Sequence, residues 1–104
     1  MIEKYKKEIS KRLIKELLDI QLLRLINTEN NWGYKIKKTI ETTLDIKLRH
    51  GALYPTLNQL QNDGYLISQN QKQNGRYRKT YKLTNKGRQY LKAYYAILGE
   101  QIST

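Results

Sequence analysis

The chain has 104 residues, a length that predicts one domain with a modest core. It has 20 Lys and Arg against 9 Asp and Glu, and the resulting formal charge of +11 favours polyanionic partners. It contains no cysteine and a single histidine, which excludes disulfides, thiolate metal sites and multi-histidine metal sites. Its charged first residues and the lack of any apolar run near the ~18–20 residues of a membrane span predict a cytoplasmic protein with no membrane segment.

The first half of the chain is predicted to form two helices. Apolar residues recur at helical spacing over residues 9–26, which predicts the first helix. The polar residues 27–31 have the composition of a loop. A second helix is predicted over about residues 32–43, where Ile36 and Ile40 share one face.

A third helix follows a short connection. The alternation in residues 44–48 predicts a short strand or an extended link. Since proline is best tolerated in the first turn of a helix, Pro55 places the start of the third helix between His50 and Tyr54. The helix is predicted to run to about Asp63, and Gly64 follows where a left-handed helix stop is expected.

The last part of the chain is predicted to form a β-hairpin and one more helix. Residues 65–71 and 76–83 are expected to be strands around Asn74-Gly75, a favoured tight hairpin turn. Thr84 is a good N-cap for the final helix, which carries an apolar stripe.

Three helices, a hairpin and a final helix have the layout of a winged helix-turn-helix. The expected fold class is therefore mainly α with a small β-hairpin wing and a C-terminal dimerisation helix. A single domain is predicted over residues 1–104. Its DNA-binding core spans 9–83, including the wing at 65–83, and the dimerisation helix spans 84–102.

Three motifs resemble those of the PadR-like transcriptional regulators. They are Gly33-Tyr34 opening the second helix, Leu53-Tyr54-Pro55-Thr56-Leu57 followed by Leu60 and Gly64, and Tyr81-Lys82-Leu83-Thr84-Asn85-Lys86-Gly87. The resemblance covers about Leu17 to Leu91 and implies a dimer that binds operator DNA, pairs through C-terminal helices and represses transcription. The C-terminal part is short, as in a compact branch of the family, and the N-terminal stretch is longer than usual.

The third helix carries the candidates for base recognition. Tyr54 is expected to donate its hydroxyl to a phosphate, and four neighbours are expected to approach base edges: His50, Thr56, Asn58 and Gln59. The alternative is that the polar residues simply form the solvated face of an amphipathic helix. Tyr34 is a further candidate, which contacts the DNA backbone or only packs against the third helix. Trp32 is interpreted as a core or core-edge residue.

The wing carries the candidates for phosphate contacts. No acidic residue stands between Asp63 and Glu100, while eight basic residues do. Like charges in such a segment repel one another unless an anionic ligand neutralises them, and the phosphates of a nucleic acid are anions of this kind. The residues expected to contact phosphates or the minor groove are Lys72, Arg76, Arg78 and Lys79.

The apolar stripe of the last helix predicts a dimer interface. It comprises Leu91, Tyr94, Tyr95, Leu98 and Ile102, and the interface is expected to be shared with Ile9, Leu13 and Ile14 of the first helix. The alternative is that the stripe packs on its own domain. A two-fold dimer would place its recognition helices about 34 Å apart, one turn of DNA. A small-molecule effector at this seam is conceivable in such a family, but no ligand is predicted.

Two other functions compete with a DNA-binding repressor. Nine tyrosines on a basic chain could stack bases in RNA or single-stranded nucleic acid. A winged helix could also bind an acidic protein partner. An enzyme is not expected, because the chain has one histidine, no phosphate-binding glycine loop and scattered carboxylates. No cofactor or metal is predicted.

Overall fold

The computed structural model describes residues 1–28 and 32–104, without the side chains of His50 and Gln73. Residues 29–31 of the predicted loop therefore lie outside the described part. The elements in chain order are α1 (Ile2–Ile26), α2 (Gly33–Leu44), α3 (His50–Asn62), β1 (Leu66–Gln73), β2 (Arg76–Leu83) and α4 (Asn85–Ser103). The mainly α fold with a β-hairpin wing is confirmed.

Helix α1 begins at Ile2, so the predicted start at Ile9 was wrong. The first turns contain several good helix formers and a Glu3–Lys6 pair 3.8 Å apart, and they continue a helix whose second half is packed in the core. Ile2, Tyr5 and Ile9 continue the apolar helical spacing to the start of α1, although all three side chains are exposed. The backbone at Leu17 leaves the helical region (φ −127°, ψ 36°), which bends α1 between an exposed first half and a buried second half.

The core lies between the second half of α1, the helices α2 and α3, the hairpin and the start of α4. The largest fully buried side chains among the described residues are Leu22, Leu23, Ile36, Ile40, Leu53, Leu57, Leu66 and Leu91. On α2 and on α3 they are spaced four residues apart, so one face of each of these helices meets the common cluster. The predicted apolar face of α2, with Ile36 and Ile40, is thereby confirmed.

The connection before α3 is an extended link, not a strand. Asp45 ends α2 in the left-handed conformation (φ 51°). Leu48 is buried in the core, and its backbone N–H donates to Oε2 of Glu41 over 2.9 Å. These two anchors fix the direction in which the chain enters α3, which begins at His50 within the predicted interval.

The hairpin has the predicted tight turn. Asn74 and Gly75 both have positive φ (51° and 79°), as a two-residue turn that follows strand twist requires. The strands pair antiparallel from Leu66↔Leu83 to Gln73↔Arg76, so β1 runs two residues past its predicted end. Gly64 has a φ of 83°, and the Thr84 hydroxyl accepts a bond from the Gly87 N–H over 3.0 Å, so both predicted helix boundaries are confirmed.

Candidate nucleic-acid interface

A notch of about 290 Å³ opens between the start of α2, the exposed face of α3 and strand β2. The isolated bridge between Trp32 and Thr80 joins the first of these elements to the wing. The lining residues are aromatic, cationic or neutral, and none is acidic: Trp32, Gly33, Tyr34, Tyr54, Asn58, Arg78, Lys79 and Tyr81. Five of the ten residues predicted to contact DNA therefore lie together, although they come from three separate segments.

The cations in the notch lie against aromatic rings. The Arg78 guanidinium lies 3.8 Å from the centre of the Trp32 ring, and the Lys79 ammonium lies 5.8 Å from the centre of the Tyr81 ring. A guanidinium stacked on a ring keeps its N–H donors in its own plane, where they remain able to bind an anion. The notch thus offers oriented donors rather than freely moving charges.

Close packing at Gly33 sets the position of Tyr54. A Cβ at Gly33 would lie 2.9 Å from both Cε1 and the hydroxyl oxygen of Tyr54, closer than carbon atoms tolerate. Glycine at this position therefore lets the Tyr54 ring lie directly on the first turn of α2. Tyr54 as a whole remains 43% exposed, although its hydroxyl oxygen lies against Gly33.

Tyr81 forms the inner wall of the notch. Burial raises the pKa of its hydroxyl above the usual value, and the neighbouring Tyr54 raises it further. Both effects disfavour the phenolate form of Tyr81. Tyr81 therefore retains a neutral hydroxyl at physiological pH.

Two predicted base-reading residues lie on the other side of α3. Thr56 is half-buried towards α1, and its hydroxyl donates to the Ala52 carbonyl over 2.7 Å. The Gln59 Nε2 donates to Oδ1 of Asp63 over 3.0 Å. The His50 side chain lies outside the described part of the structure. Of the α3 candidates, Tyr54 and Asn58 are the two that the notch brings together.

The remaining wing candidates lie near the turn of the hairpin. Lys72 is paired with Tyr77, and Arg76 is paired with Gln73, next to the Asn74-Gly75 turn. Both cations are exposed and stand apart from the notch. The wing thus divides its positive charge between an inner pair against the aromatic rings and an outer pair at the tip.

The model of the family "Transcriptional regulator PadR-like family" matches residues 22–93, more than half of the chain. The chain belongs to the PadR-like family of transcriptional regulators. No curated protein matches the sequence. Within the part of this PadR-like protein that the structure describes, no helix is long and apolar enough to span a membrane, and no cluster of metal-binding side chains occurs.

Solved structures of similar proteins share this fold. A protein from Streptococcus mutans is 31% identical, with 84% of this chain and 83% of that chain covered and a TM-score of 0.68. A PadR-like regulator from Bacillus cereus, at 22% identity, covers 88% of this chain and 90% of that chain with a TM-score of 0.78, which shows the fold alone. The Bacillus subtilis PadR structure in complex with operator DNA is 25% identical and gives a TM-score of 0.70; the match covers 77% of this chain and 46% of that chain.

Trp32, Gly33 and Tyr81 line the notch but were not among the residues predicted to contact DNA. The sequence predicts a core or core-edge position for Trp32 and no contact with DNA or with the wing. In this PadR-like protein it is half-buried, with one face of its ring against Arg78. Because Trp32 directly precedes Gly33-Tyr34, the sequence places it at the start of the second helix. Nothing in the sequence indicates its contact with strand β2, more than forty residues away.

The residues predicted for dimerisation divide between the core and the surface. Leu91 is 2% exposed and belongs to the core, while Tyr94 is half-buried and its hydroxyl accepts from Gln21 Nε2 over 3.5 Å. By contrast, Ile102 is 86% exposed and Ile9 is 54% exposed. The others lie between these extremes: Leu13 and Leu98 are half-buried, and Tyr95 is exposed.

Proposed function

We propose that this PadR-like protein is a sequence-specific double-stranded DNA-binding regulator that represses transcription as a homodimer on a palindromic operator. The observation that carries the proposal is the acid-free notch, in which Tyr54 and Asn58 of α3 lie beside Arg78 and Lys79 of the wing. A helix supplies the side chains for base edges, and the adjacent cations supply contacts to phosphates.

The chemistry of the notch matches a DNA backbone and a major groove. Asn58 is exposed and can pair bidentately with adenine, because its amide offers one donor and one acceptor side by side. The Tyr54 hydroxyl and the Arg78 guanidinium are donors suited to phosphate oxygens. Bacillus subtilis PadR, whose structure is in complex with operator DNA, supports this choice of ligand.

The dimer is proposed from the exposed apolar side chains of α1 and α4. Ile9, Tyr95 and Ile102 are exposed in the single chain, and apolar surface of this kind commonly marks an interface between subunits. We assign residues 9–83 to DNA binding, including the wing at 65–83, and residues 84–102 to pairing. Two-fold pairing would present two copies of α3 about 34 Å apart, one DNA turn.

The deciding experiment is a titration of a random duplex pool at several salt concentrations, followed by selection and sequencing. We expect the logarithm of the affinity to fall with the logarithm of salt, with a slope of about 0.9 for each phosphate neutralised. We also expect enrichment of a palindrome with half-sites about one turn apart. Fusion of the selected sequence to a reporter promoter tests repression directly.

Other results would reject parts of this function. Tight binding without an enriched sequence would indicate a non-specific architectural protein. Preference for RNA or single strands of equal length would favour base stacking on the exposed tyrosines. A protein that fails to bind duplex even at low salt would not be a DNA-binding regulator, and an acidic protein would then be the partner to seek.

A further inference from the structure

The wing carries an aromatic ring that lies outside the notch and is left uncovered by the fold. Tyr77 of β2 is 74% exposed, more than any of the other eight tyrosines of the chain. Among the described residues, no aromatic ring packs against it and no cation lies over its face. Because a tyrosine ring has a large apolar area, an uncovered ring near the tip of a basic hairpin is suited to a contact outside the single chain.

Tyr77 shares one face of the hairpin with the inner wall of the notch. Side chains alternate between the two faces along a strand, so Tyr77, Lys79 and Tyr81 lie on the same face. Tyr81 is buried in the wall of the notch, whereas Lys79 and Tyr77 are exposed. Four residues of an extended strand span about 13 Å, so Tyr77 lies about this far beyond Tyr81, towards the tip. The face that lines the notch therefore continues along the wing to the Tyr77 ring.

Cations surround Tyr77 on this part of the wing. Lys79 lies between Tyr77 and the notch, Lys72 is paired with Tyr77 across the two strands, and Arg76 directly precedes it. All three cations are exposed, and the hairpin contains no acidic residue from Leu66 to Leu83. A groove of a nucleic acid has the complementary composition, because two lines of phosphates border the less polar sugars and bases. An apolar ring among cations thus fits such a groove.

The dimensions of duplex DNA relate Tyr77 to the proposed function, on which this inference rests. The major groove is about 12 Å wide and the minor groove about 6 Å. With α3 in the major groove, Arg78 and Lys79 lie at the phosphate backbone that borders it. A ring about 13 Å beyond Tyr81 then extends across this backbone to the adjacent minor groove. Tyr77 is the aromatic side chain that the wing brings to that position.

We propose that Tyr77 is a specificity-determining residue, whose ring inserts partly into a base step of the minor groove beside the site read by α3. Insertion of a side chain unstacks the step and kinks the duplex. The cost depends on sequence, since pyrimidine–purine steps such as TA and CA open readily and A-tracts are stiff. Tyr77 thereby adds a preference for a deformable step at base pairs that Tyr54 and Asn58 do not contact.

The fluorescent adenine analogue aminopurine tests the insertion, because its emission rises when it is unstacked. It replaces each adenine that flanks a half-site of the selected operator, one position at a time. We expect emission to rise at one flanking step when the wild type or Tyr77→Phe binds. Tyr77→Thr removes the ring but keeps a β-branched strand former, and should abolish the rise. Ile67→Thr removes an exposed apolar side chain from the opposite face of the same hairpin, and should retain it.

Affinity measurements test the sequence preference. Tyr77→Thr is expected to weaken binding to the selected operator about tenfold, because a stacked ring is lost, and to leave the salt slope unchanged, because no charge is lost. Replacement of the deformable step by an A-tract should weaken the wild type by about fivefold or more and have little effect on Tyr77→Thr. Thermal unfolding of each variant separates loss of the contact from loss of the fold, and emission in the wild-type complex tests the insertion without any variant.

Emission that stays unchanged at every flanking position, or a rise that persists in Tyr77→Thr, would overturn the insertion. An A-tract penalty of equal size in the wild type and Tyr77→Thr would overturn the role in specificity. In both cases, duplex binding that still depends on Asn58 would retain the proposed function. A protein with no affinity for any duplex would reject the proposed function and the role of Tyr77 together.

Discussion

The Arg78 guanidinium is stacked on the ring of Trp32, 3.8 Å from its centre, although the two residues come from different elements. The bridge between Trp32 and Thr80 holds the ring beside the strand that carries Arg78. Removal of the ring would free the guanidinium and loosen the wing from the start of α2. The stack is therefore a link between the wing and the helices as well as a support for one cation.

We predict that Trp32→Ala weakens duplex binding, whereas Trp32→Phe largely retains it. A cation on an aromatic face contributes about 0.5–2 kcal/mol, so the loss should be roughly twofold to thirtyfold. Fluorescence titration measures the affinity of the alanine variant on a labelled duplex. The chain has a single tryptophan, so its emission in the wild type reports directly on this position. Emission that is unchanged when duplex saturates the protein would place the DNA elsewhere.

Gly33→Ala should separate DNA binding from stability. Alanine favours a helix over glycine by about 1 kcal/mol, which offsets some of the crowding against the flexible Tyr54 side chain. We therefore expect the free energy of unfolding to change by no more than about 1 kcal/mol. Duplex affinity should fall, since Tyr54 must rotate out of the notch. Tyr54→Phe in parallel shows how much of the loss belongs to the hydroxyl, and an equal loss of stability and affinity would contradict the prediction.

Asn58 and Arg78 should have different effects on recognition. Asn58→Ala is expected to relax the preference at one base position by about 1–3 kcal/mol and to leave the salt slope unchanged. Arg78→Gln should weaken all sequences alike and lower the salt slope by about 0.9. Affinity measurements on the selected operator and single-base variants at several salt concentrations distinguish the two. If Asn58→Ala weakens every sequence equally, α3 does not read a base through this residue.

The sequence predicted those features that depend on local chemistry. Asn74-Gly75 requires positive φ values in a tight turn, and Thr84 caps the helix three residues before Gly87, so both were found without tertiary information. The notch could not be assembled in this way. Its depth depends on Trp32 meeting strand β2, and nothing near Trp32 in the sequence encodes that contact. The side of α3 on which Thr56 lies likewise depends on where α1 packs.

Raising the pH should destabilise the fold through Tyr81. Its pKa is raised in the folded state by burial and by Tyr54, so the unfolded chain loses the proton first. The stability from this hydroxyl is thus present below the unfolded value of about 10 and is lost as pH rises through the higher folded value. Urea unfolding from about pH 8 to pH 11 should show a smaller decline for Tyr81→Phe than for the wild type. Tyr77→Phe, at an exposed position, is the matched control, and an identical decline in wild type and Tyr81→Phe would contradict this assignment.

Substitution of Leu91 should lower the stability of the fold, whereas substitution of Ile102 should affect only dimerisation, although both residues belong to the predicted stripe of α4. Leu91 is buried in the core of its own domain, so Leu91→Ala should reduce the free energy of unfolding by about 2–5 kcal/mol. Ile102 is 86% exposed, so Ile102→Asp should leave the folded single chain intact. If α4 pairs with a second copy, the same substitution places an unpaired charge in the interface and should dissociate the dimer.

Sedimentation measures the mass of each variant across a range of protein concentrations, and circular dichroism confirms that Ile102→Asp remains helical. Lys92→Glu, another charge change on an exposed part of α4, is the control and should leave the mass unchanged. A monomeric Ile102→Asp protein should also bind a half-site and a full palindrome with similar affinity, because it lacks the second recognition helix. A wild-type protein that sediments as a monomer at every concentration would refute pairing through α4, and a palindrome would then not be its expected operator.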